Sequence, residues 1–258
     1  MQLVLEDVHV QGRRGPLLQL DRLAVETGEC VLVAGEPGQG HTALALVLTG
    51  RLNPDSGRVG LVRDDGSVTD DPEILREVSA VVDLPTISEP DDEVPIGAVV
   101  AEDLALAHRT RRSEAAREWL TDLGTGLDGS ERVDELPSLV RTSVLTALAA
   151  EREQVRFLIL ALPDRHGGEP SRWWALAQEY AAAGYGLLVQ STPTSARDLG
   201  AGMGSTQRTT PEVALRTRPT PREADAASAA PPAASHAAAP GPTAPLQVDP
   251  ASDRKESR

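Results

Sequence analysis

The 258-residue chain has few aromatic side chains, a single cysteine and a single lysine, and no long apolar run. Aromatic residues make up 2% of the sequence while hydrophobic residues make up 40%, so the core must consist mainly of Leu, Val, Ile and Ala. Lone Cys30 cannot form an internal disulfide, which favours a reducing compartment. No window approaches the roughly 18 uninterrupted apolar residues that a membrane-spanning helix needs. The N-terminal MQLVLEDVHVQ carries acids and no basic region, unlike a signal peptide. These absences predict a cytoplasmic protein that reaches the inner face of the membrane only through a partner.

Positive charge is also scarce, because the formal net charge at pH 7 is −14. A surface of this sign repels phosphate backbones, so we expect no nucleic-acid partner. From residue 201 onward the apolar periodicity stops, and residues 226–250 are mostly Ala, Pro and small polar residues. Such a composition cannot bury enough apolar area to offset its ordering entropy. We therefore predict a disordered tail over 201–258; a Pro-rich docking segment is the alternative, although PPAAS is not a PxxP pattern.

The first 200 residues show the alternation of apolar strands and amphipathic helices that is typical of an α/β protein. ECVLVAG (29–35) is a short continuous apolar run before glycine, as a buried central strand would be, and VRFLILAL (155–162) is a second. The order is strands first, then a helical insertion, then strand–helix–strand. We predict strands at 1–10, 17–28, 29–35, 78–84, 155–162 and 185–192, and a turn followed by a strand over 52–62. Helices are predicted at 42–52 and 172–184, and residues 97–149 are predicted to be mostly helical.

The strongest motif is a glycine-rich loop between the strand at 29–35 and the following helix. Gly35-x-x-x-x-Gly40-His41-Thr42 matches the phosphate-binding pattern G-x-x-x-x-G-K-[ST] at every position except the lysine. In this motif backbone N–H groups point inward at the phosphates, and the helix directs its positive end at the same anion. The candidate nucleotide-binding residues are Gly35, Glu36, Pro37, Gly38, Gln39, Gly40, His41 and Thr42.

The segment GECVLVAGEPGQGHTALALVLTGRLNPDSGRV (28–59) resembles the start of the nucleotide-binding domain of ABC transporters. That family carries Gly-Glu before the central strand, then the loop, then a Leu-x-Pro-x-Ser-Gly-x-Val turn, which residues 52–59 reproduce. The similarity is strongest before residue 60. It implies a P-loop NTPase fold, with an ABC-type domain over 1–200 and a helical subdomain over about 97–150. The implied cofactors are ATP and Mg²⁺. The implied partners are a membrane-embedded transporter or other membrane protein and, in a homo- or heterodimer, another cassette.

Carried over residue by residue, the family's catalytic set is degenerate. The loop lysine is His41, and no shift of register replaces it because the one lysine of the chain is Lys255. Ala161 and Leu162 stand where the family has its magnesium-ordering Asp and catalytic Glu. Thr42 and Asp83 remain as candidate Mg²⁺ ligands.

Three other elements of the family pattern are also altered. Ser138 in ELPSLVR is what remains of the Leu-Ser-Gly-Gly-Gln signature, and Ser191 or Thr192 replaces the switch histidine. The aromatic residue that stacks on adenine is absent, which leaves Arg13 or Arg14 for that contact.

Three functions are consistent with this pattern. The first is an ABC-type ATP-binding subunit that binds nucleotide weakly and hydrolyses little or none. The second is a non-enzymatic scaffold or regulator that docks on a membrane protein without nucleotide. The third is an active ATPase whose groups have moved, with Asp83, Asp164 and His166 gathered around magnesium.

Overall fold

The computed structural model describes residues 1–107 and 113–200 together with a short strand at 213–214. Contacts divide the chain into two units, Met1–Arg218 and Pro219–Arg258, of which the second lies outside the described residues. Apart from that strand, the tail predicted over 201–258 also lies outside them. The disorder of this tail and the domain boundary at residue 200 therefore stay predictions.

The first of two sheets is antiparallel and comes from the N-terminal third of the chain. Its strand order is β2-β1-β4-β5, and β1 pairs along its length with β2 on one side and β4 on the other. Buried and exposed positions alternate along β1 and β2, so one face of this sheet packs on the interior. The strands are β1 (Gln2–Gln11), β2 (Pro16–Glu26), β4 (Ser56–Val62) and β5 (Val68–Thr69).

The second sheet is parallel, with strand order β6-β7-β8-β3-β9. Every residue of β3, β7 and β8 is buried, as the continuous apolar runs predict for strands covered on both faces. Since parallel strands end at one edge, the loop after β3 and the turn after β7 lie on the same side of the sheet. The strands are β3 (Cys30–Ala34), β6 (Ser79–Val82), β7 (Phe157–Ala161), β8 (Gly186–Ser191) and β9 (Val213–Ala214).

Alternate residues of the central strands enter two separate cores. Val31 and Val33 of β3 pack with the antiparallel sheet and the helix after the loop, whereas Leu32 and Ala34 pack with the C-terminal helices. The period of two thus divides the apolar side chains of each strand between the two faces. The helices are α1 (His41–Leu48), α2 (Pro72–Val78), α3 (Ile96–Leu106), α4 (Ser113–Asp122), α5 (Ser138–Ala150), α6 (Pro170–Ala182) and α7 (Pro193–Asp198), with 3₁₀ turns at Val133–Glu135 and Pro163–His166.

The predicted strands and the principal helices are found at close to the predicted bounds. The segment 97–149, predicted as mostly helical, contains α3, α4 and α5. The short elements β5, α2, α7 and β9 were not predicted, because each has at most seven residues, too few to show a period. Among the described residues, no helix is long and apolar enough to cross a membrane.

Candidate functional site

The glycine-rich loop connects β3 to α1, as the motif requires. Its first glycine is fixed in the sheet, because the N–H of Gly35 donates to the carbonyl of Ser191 at 3.0 Å. Gly38 (φ 87°) and Gly40 (φ 93°) adopt the left-handed conformation that glycine tolerates best. A Cβ at Gly40 would overlap the Leu17 carbonyl oxygen of β2, so the loop is closely packed against the antiparallel sheet.

His41 lies inside this loop and does not extend into solvent. Its side chain is 4% exposed, and its Nε2 is 2.8 Å from the carbonyl oxygen of Gly35 at the other end of the loop. Because a carbonyl oxygen only accepts, Nε2 carries the proton of this bond. Nδ1 is buried and has no hydrogen-bond partner among the described residues. The imidazole therefore closes the loop from within and leaves one polar atom unsatisfied.

Several backbone donors of the loop remain unpaired. Pro37 has no N–H, and the N–H of Glu36 donates to the Gln39 side chain at 2.8 Å. The N–H groups that follow, those of Gly38, Gly40, His41 and Thr42, have no acceptor within the described chain. These donors lie at the positive end of α1, which is the arrangement that binds an anion.

A buried glutamine supports the start of α1 from the neighbouring strand. Gln190 of β8 is fully buried, and its Nε2 donates to the carbonyl of His41 at 2.8 Å. Its Oε1 has no partner among the described residues. Two unsatisfied polar atoms, one on His41 and one on Gln190, are therefore buried next to the loop.

The end of β7 offers no oxygen ligand. Ala161 is buried at the last position of the strand, and Leu162 follows it in a left-handed conformation (φ 51°, ψ 57°). Neither side chain can bind a metal ion or orient a water molecule. That these two positions replace the family's Asp and Glu stays a prediction from the sequence.

Asp83, predicted as a magnesium ligand, is part of a buried ion cluster at the end of β6. Arg141 of α5 donates to both of its carboxylate oxygens, at 3.0 and 3.1 Å. His166 Nε2 is 2.9 Å from Asp83 Oδ2, and Arg165 Nη2 is 2.9 Å from Oδ1. Glu89 and Asp92 complete the cluster, with 2.8 Å from Glu89 to Arg165 and 3.1 Å from Asp92 to Arg141.

The cluster stabilises the ionised form of Asp83. Burial by itself would raise the pKa of this carboxyl group, but the hydrogen bonds from His166 and Arg141 and the charges of Arg165 and Arg141 outweigh it. The pKa of Asp83 is therefore held well below its usual value. The same contacts raise the pKa of Arg141 despite its burial. Asp83 is an anion whose oxygens are already occupied by cations of the chain.

His166 and Asp164, the other two residues that the third hypothesis gathers around magnesium, have different hydrogen-bond partners. His166 joins Asp83, whereas the Asp164 carboxylate accepts bonds from the Thr192 N–H (2.9 Å) and from the hydroxyls of Thr192 and Ser195 (2.7 Å each). Asp164 therefore stabilises the start of α7. The structure brings together two of the three groups that the hypothesis needs.

Ser138 begins α5 beside the turn that follows β7. Gly168 approaches it so closely that a Cβ at that position would overlap the Ser138 hydroxyl. A cavity of about 330 Å³ lies here, lined by residues that include Ser138, Thr142 and Trp173. Of the replacements for the switch histidine, Ser191 is buried in β8 and Thr192 caps α7.

The residues present fit a phosphate group better than they fit Mg²⁺. The unpaired N–H groups of the loop supply donors for an anion. For the metal, Thr42 presents an exposed hydroxyl, but Asp83 is held by two guanidinium groups, which exclude a second cation by charge repulsion.

Comparison with known proteins agrees with this architecture. No family model matches the chain. It is similar to the taurine import ATP-binding protein TauB of Sinorhizobium fredii, with 34% identity over 160 residues that cover 59% of this chain and 56% of that protein. The chain thus spans little more than half the length of this curated relative.

Solved structures share the fold. An ATP-binding subunit of an ABC transporter matches with a TM-score of 0.53 and 22% identity, over 76% of this chain and 82% of its own. An ATP-binding cassette of an ABC transporter in its ADP conformation matches with a TM-score of 0.55 and 18% identity, over 74% and 82%. A dimeric bacterial ABC transporter cassette matches with a TM-score of 0.55 and 16% identity, over 76% and 90%.

The fold is therefore that of an α/β P-loop protein with a parallel core sheet. More narrowly, it is the fold of the nucleotide-binding domain of ABC transporters, which confirms the resemblance stated for residues 28–59.

Sequence reasoning missed the residues that surround Asp83. Asp92 is 49 residues from Arg141, and Glu89 is 76 residues from Arg165, so no local spacing connects the partners. Gln190 was not predicted as a site residue either. A buried glutamine and a buried arginine within apolar runs are the signals that could have found these positions.

Proposed function

We propose that the chain is an ATP-binding subunit of the ABC-transporter type that binds nucleotide weakly through residues 35–42. The observation that carries the proposal is the set of unpaired N–H groups from Gly38 to Thr42 at the start of α1. Backbone amides hold a phosphate whatever the side chains are, so the loss of the lysine weakens binding without abolishing it.

Each group of the loop has a part in holding phosphate. The N–H groups of Gly38, Gly40 and Thr42 donate to phosphate oxygens, and the Thr42 hydroxyl reaches the metal where one accompanies the nucleotide. Mg²⁺, when bound, would supply charge neutralisation for the phosphates. Nε2 of His41 is bound to the carbonyl of Gly35, so its ring closes the loop and does not supply the permanent positive charge of a lysine.

We further propose that ATP hydrolysis is lost or close to background. Electrostatic and acid–base groups each contribute about 10²–10⁴ to a rate. The lysine, the magnesium Asp, the catalytic Glu, the signature glycines and the switch histidine are all replaced. Ala161 and Leu162 provide no oxygen to order a metal or a water, so turnover has no general base at this position.

The proposed partners are a membrane protein and a second cassette. A cavity of about 430 Å³ between β6, the loop after it and α3 is flanked by exposed Ile87 and Leu106, which are 55% and 60% exposed. We infer that a membrane-bound partner covers these side chains at the inner face of the membrane. Ile87→Asp with Leu106→Asp should release the chain from the membrane fraction of cells while its circular dichroism spectrum is unchanged; retention of the double variant on membranes would contradict this assignment.

The deciding experiment for nucleotide binding is a thermal melt of the full chain with millimolar ATP or ADP and Mg²⁺, at pH 6 and pH 7.5. At a ligand concentration 100 times the dissociation constant, binding stabilises the fold by about 2.7 kcal/mol. We expect a rise in melting temperature. His41→Ala should keep part of the shift, because the amides remain.

The alternative is a scaffold or regulator that needs no nucleotide. The observation in its favour is the ion cluster around Asp83, in which Asp83 is paired with Arg141, Arg165 and His166 of the chain itself and needs no ligand. A melting temperature that nucleotide leaves unchanged at both pH values would support this alternative over nucleotide binding.

A further inference from the structure

The contacts of Arg165 point to a property of the ion cluster that nucleotide binding does not involve. One oxygen each from Asp83 and Glu89 and one ring nitrogen of His166 lie within 4.8 Å of one another. Two carboxylates and an imidazole form a donor set that suits a divalent ion such as Zn²⁺ or Co²⁺. They come from the end of β6, the loop that follows it and the 3₁₀ turn after β7, so the fold itself brings them together.

A guanidinium group already bridges two of these donors. Arg165 Nη2 is 2.9 Å from Asp83 Oδ1 and 2.8 Å from Glu89 Oε1, so one nitrogen serves both carboxylates as a bound cation would. Its Nη1 donates to the carbonyl of Ala161 at 3.2 Å and to that of Asp83. The Arg165 side chain is only 19% exposed, so this head group is held within the cluster and does not sample solvent freely.

The charges of the cluster explain why the guanidinium group of Arg165 is favourable beside Asp83 and Glu89. Asp83, Glu89 and Asp92 carry three negative charges, and Arg141 and Arg165 carry two positive charges. Without Arg165 the buried part of the cluster would have an excess of negative charge that Arg141 alone cannot balance. Uncompensated buried charge is costly, so loss of the guanidinium group favours the binding of another cation beside Asp83.

We propose that Arg165 is a tethered cation that fills, and thereby blocks, a divalent-metal site formed by Asp83, Glu89 and His166. Wild-type protein holds this part of the fold together without a metal ion. Replacement of Arg165 by a small neutral residue opens the site to Zn²⁺ or Co²⁺, with the imidazole of His166 as the nitrogen ligand.

The test is a titration of full-length, untagged protein with Co²⁺, followed by visible absorption and by calorimetry. We expect Arg165→Ala to bind Co²⁺ at least about 100-fold more tightly than wild type, because one positive charge near the ion is removed. Arg165→Ala with His166→Ala should lose the absorption band, which excludes other histidines as the ligand. Arg165→Lys keeps a cation and should keep Co²⁺ out.

Stability provides a second measurement that does not depend on the spectrum. If Arg165→Ala is unfolded in the absence of metal, Co²⁺ should restore its circular dichroism signal, and the double variant should stay unfolded. Equal Co²⁺ affinity of wild type and Arg165→Ala would overturn the proposal, since the arginine would then not block the site. An Arg165→Ala variant that gains neither a Co²⁺ spectrum nor structure would overturn it as well.

Discussion

The two halves of the candidate site are formed by different groups, one by the backbone and the other by side chains. The loop between β3 and α1 keeps the left-handed glycines and the unpaired N–H groups of a phosphate site, and one side chain has changed. The edge formed by β6 and β7 ends in apolar Ala161 and Leu162 and is filled by Asp83, Arg141, Arg165 and His166. Under the proposed function, phosphate binding by the backbone is kept while hydrolysis, which depends on side chains, is lost.

The largest effect should come from breaking the ion cluster at Arg141, whose side chain is 3% exposed. Arg141→Met leaves Asp83 buried without its bidentate partner, and we expect a loss of about 3–5 kcal/mol in the free energy of unfolding, measured by urea denaturation. Addition of Asp83→Asn should restore part of the loss. The matched control is Arg58→Ala at an exposed ion pair with Glu6, which should cost less than about 1 kcal/mol. Equal losses for the two arginines would show that the cluster adds nothing.

The same cluster should make the fold sensitive to acid. Because the pKa of Asp83 is lower in the folded chain than the ordinary value of about 3.9, its ionisation stabilises the fold above that value. That contribution is lost as the pH falls below about 4 toward the lowered pKa. We expect the free energy of unfolding to fall with decreasing pH by up to about 1.4 kcal/mol per pH unit more in wild type than in Asp83→Asn. Parallel curves for the two proteins below pH 4 would contradict the assignment.

In the loop, Gly40→Ala should have a larger effect than Gly38→Ala. Both residues have positive φ, which costs a side chain about 1–2 kcal/mol. At Gly40 the new Cβ would also overlap the Leu17 carbonyl, whereas nothing lies within 4 Å of a Cβ at Gly38. We expect thermal melts to show an additional loss of about 1–3 kcal/mol for Gly40→Ala. Identical losses would mean that the contact with β2 relaxes without cost.

His41→Lys should raise nucleotide affinity at the loop without restoring hydrolysis at the edge formed by β6 and β7. A lysine supplies a permanent charge to the phosphates, and a charge-assisted bond is worth about 1.5–3 kcal/mol, or roughly 10–100-fold in nucleotide affinity by calorimetry. Phosphate release should remain at background, because Ala161 and Leu162 are unchanged. Addition of Ala161→Asp and Leu162→Glu is the minimum for a gain in turnover. Robust magnesium-dependent hydrolysis by wild type would overturn the proposed loss of activity.

The smallest effect should follow truncation of the tail. A chain ending at Arg218 keeps β9 and removes mainly Ala, Pro and polar residues, so we expect its free energy of unfolding to change by less than about 0.5 kcal/mol. A chain ending at residue 205 also loses the pairing of β9 with β3 and should be the less stable of the two in thermal melts. A large loss already at Arg218 would show that the removed segment contributes to the folded state.

The sequence predicted the fold and the loop because their determinants are local. Continuous apolar runs such as 155–162 identify central strands, and the glycine spacing between 35 and 40 identifies the loop. The ion cluster could not be predicted in this way. Asp83 and Arg141 are 58 residues apart, and their contact depends on how α5 packs beside β6. The position of His41 was also beyond the sequence, since a ring that turns back to Gly35 has the same local pattern as one that extends outward.

The unpaired donors of the loop have a consequence for hydrogen exchange. An amide that lacks an acceptor is not protected by an opening equilibrium, so deuterium should enter Gly38, Gly40 and Thr42 early, while the fully buried β7 and β8 exchange last. A phosphate that binds these amides must slow their exchange without altering the strands. Residue-level exchange rates at the loop would thus report nucleotide occupancy directly, even in a protein that never turns the nucleotide over.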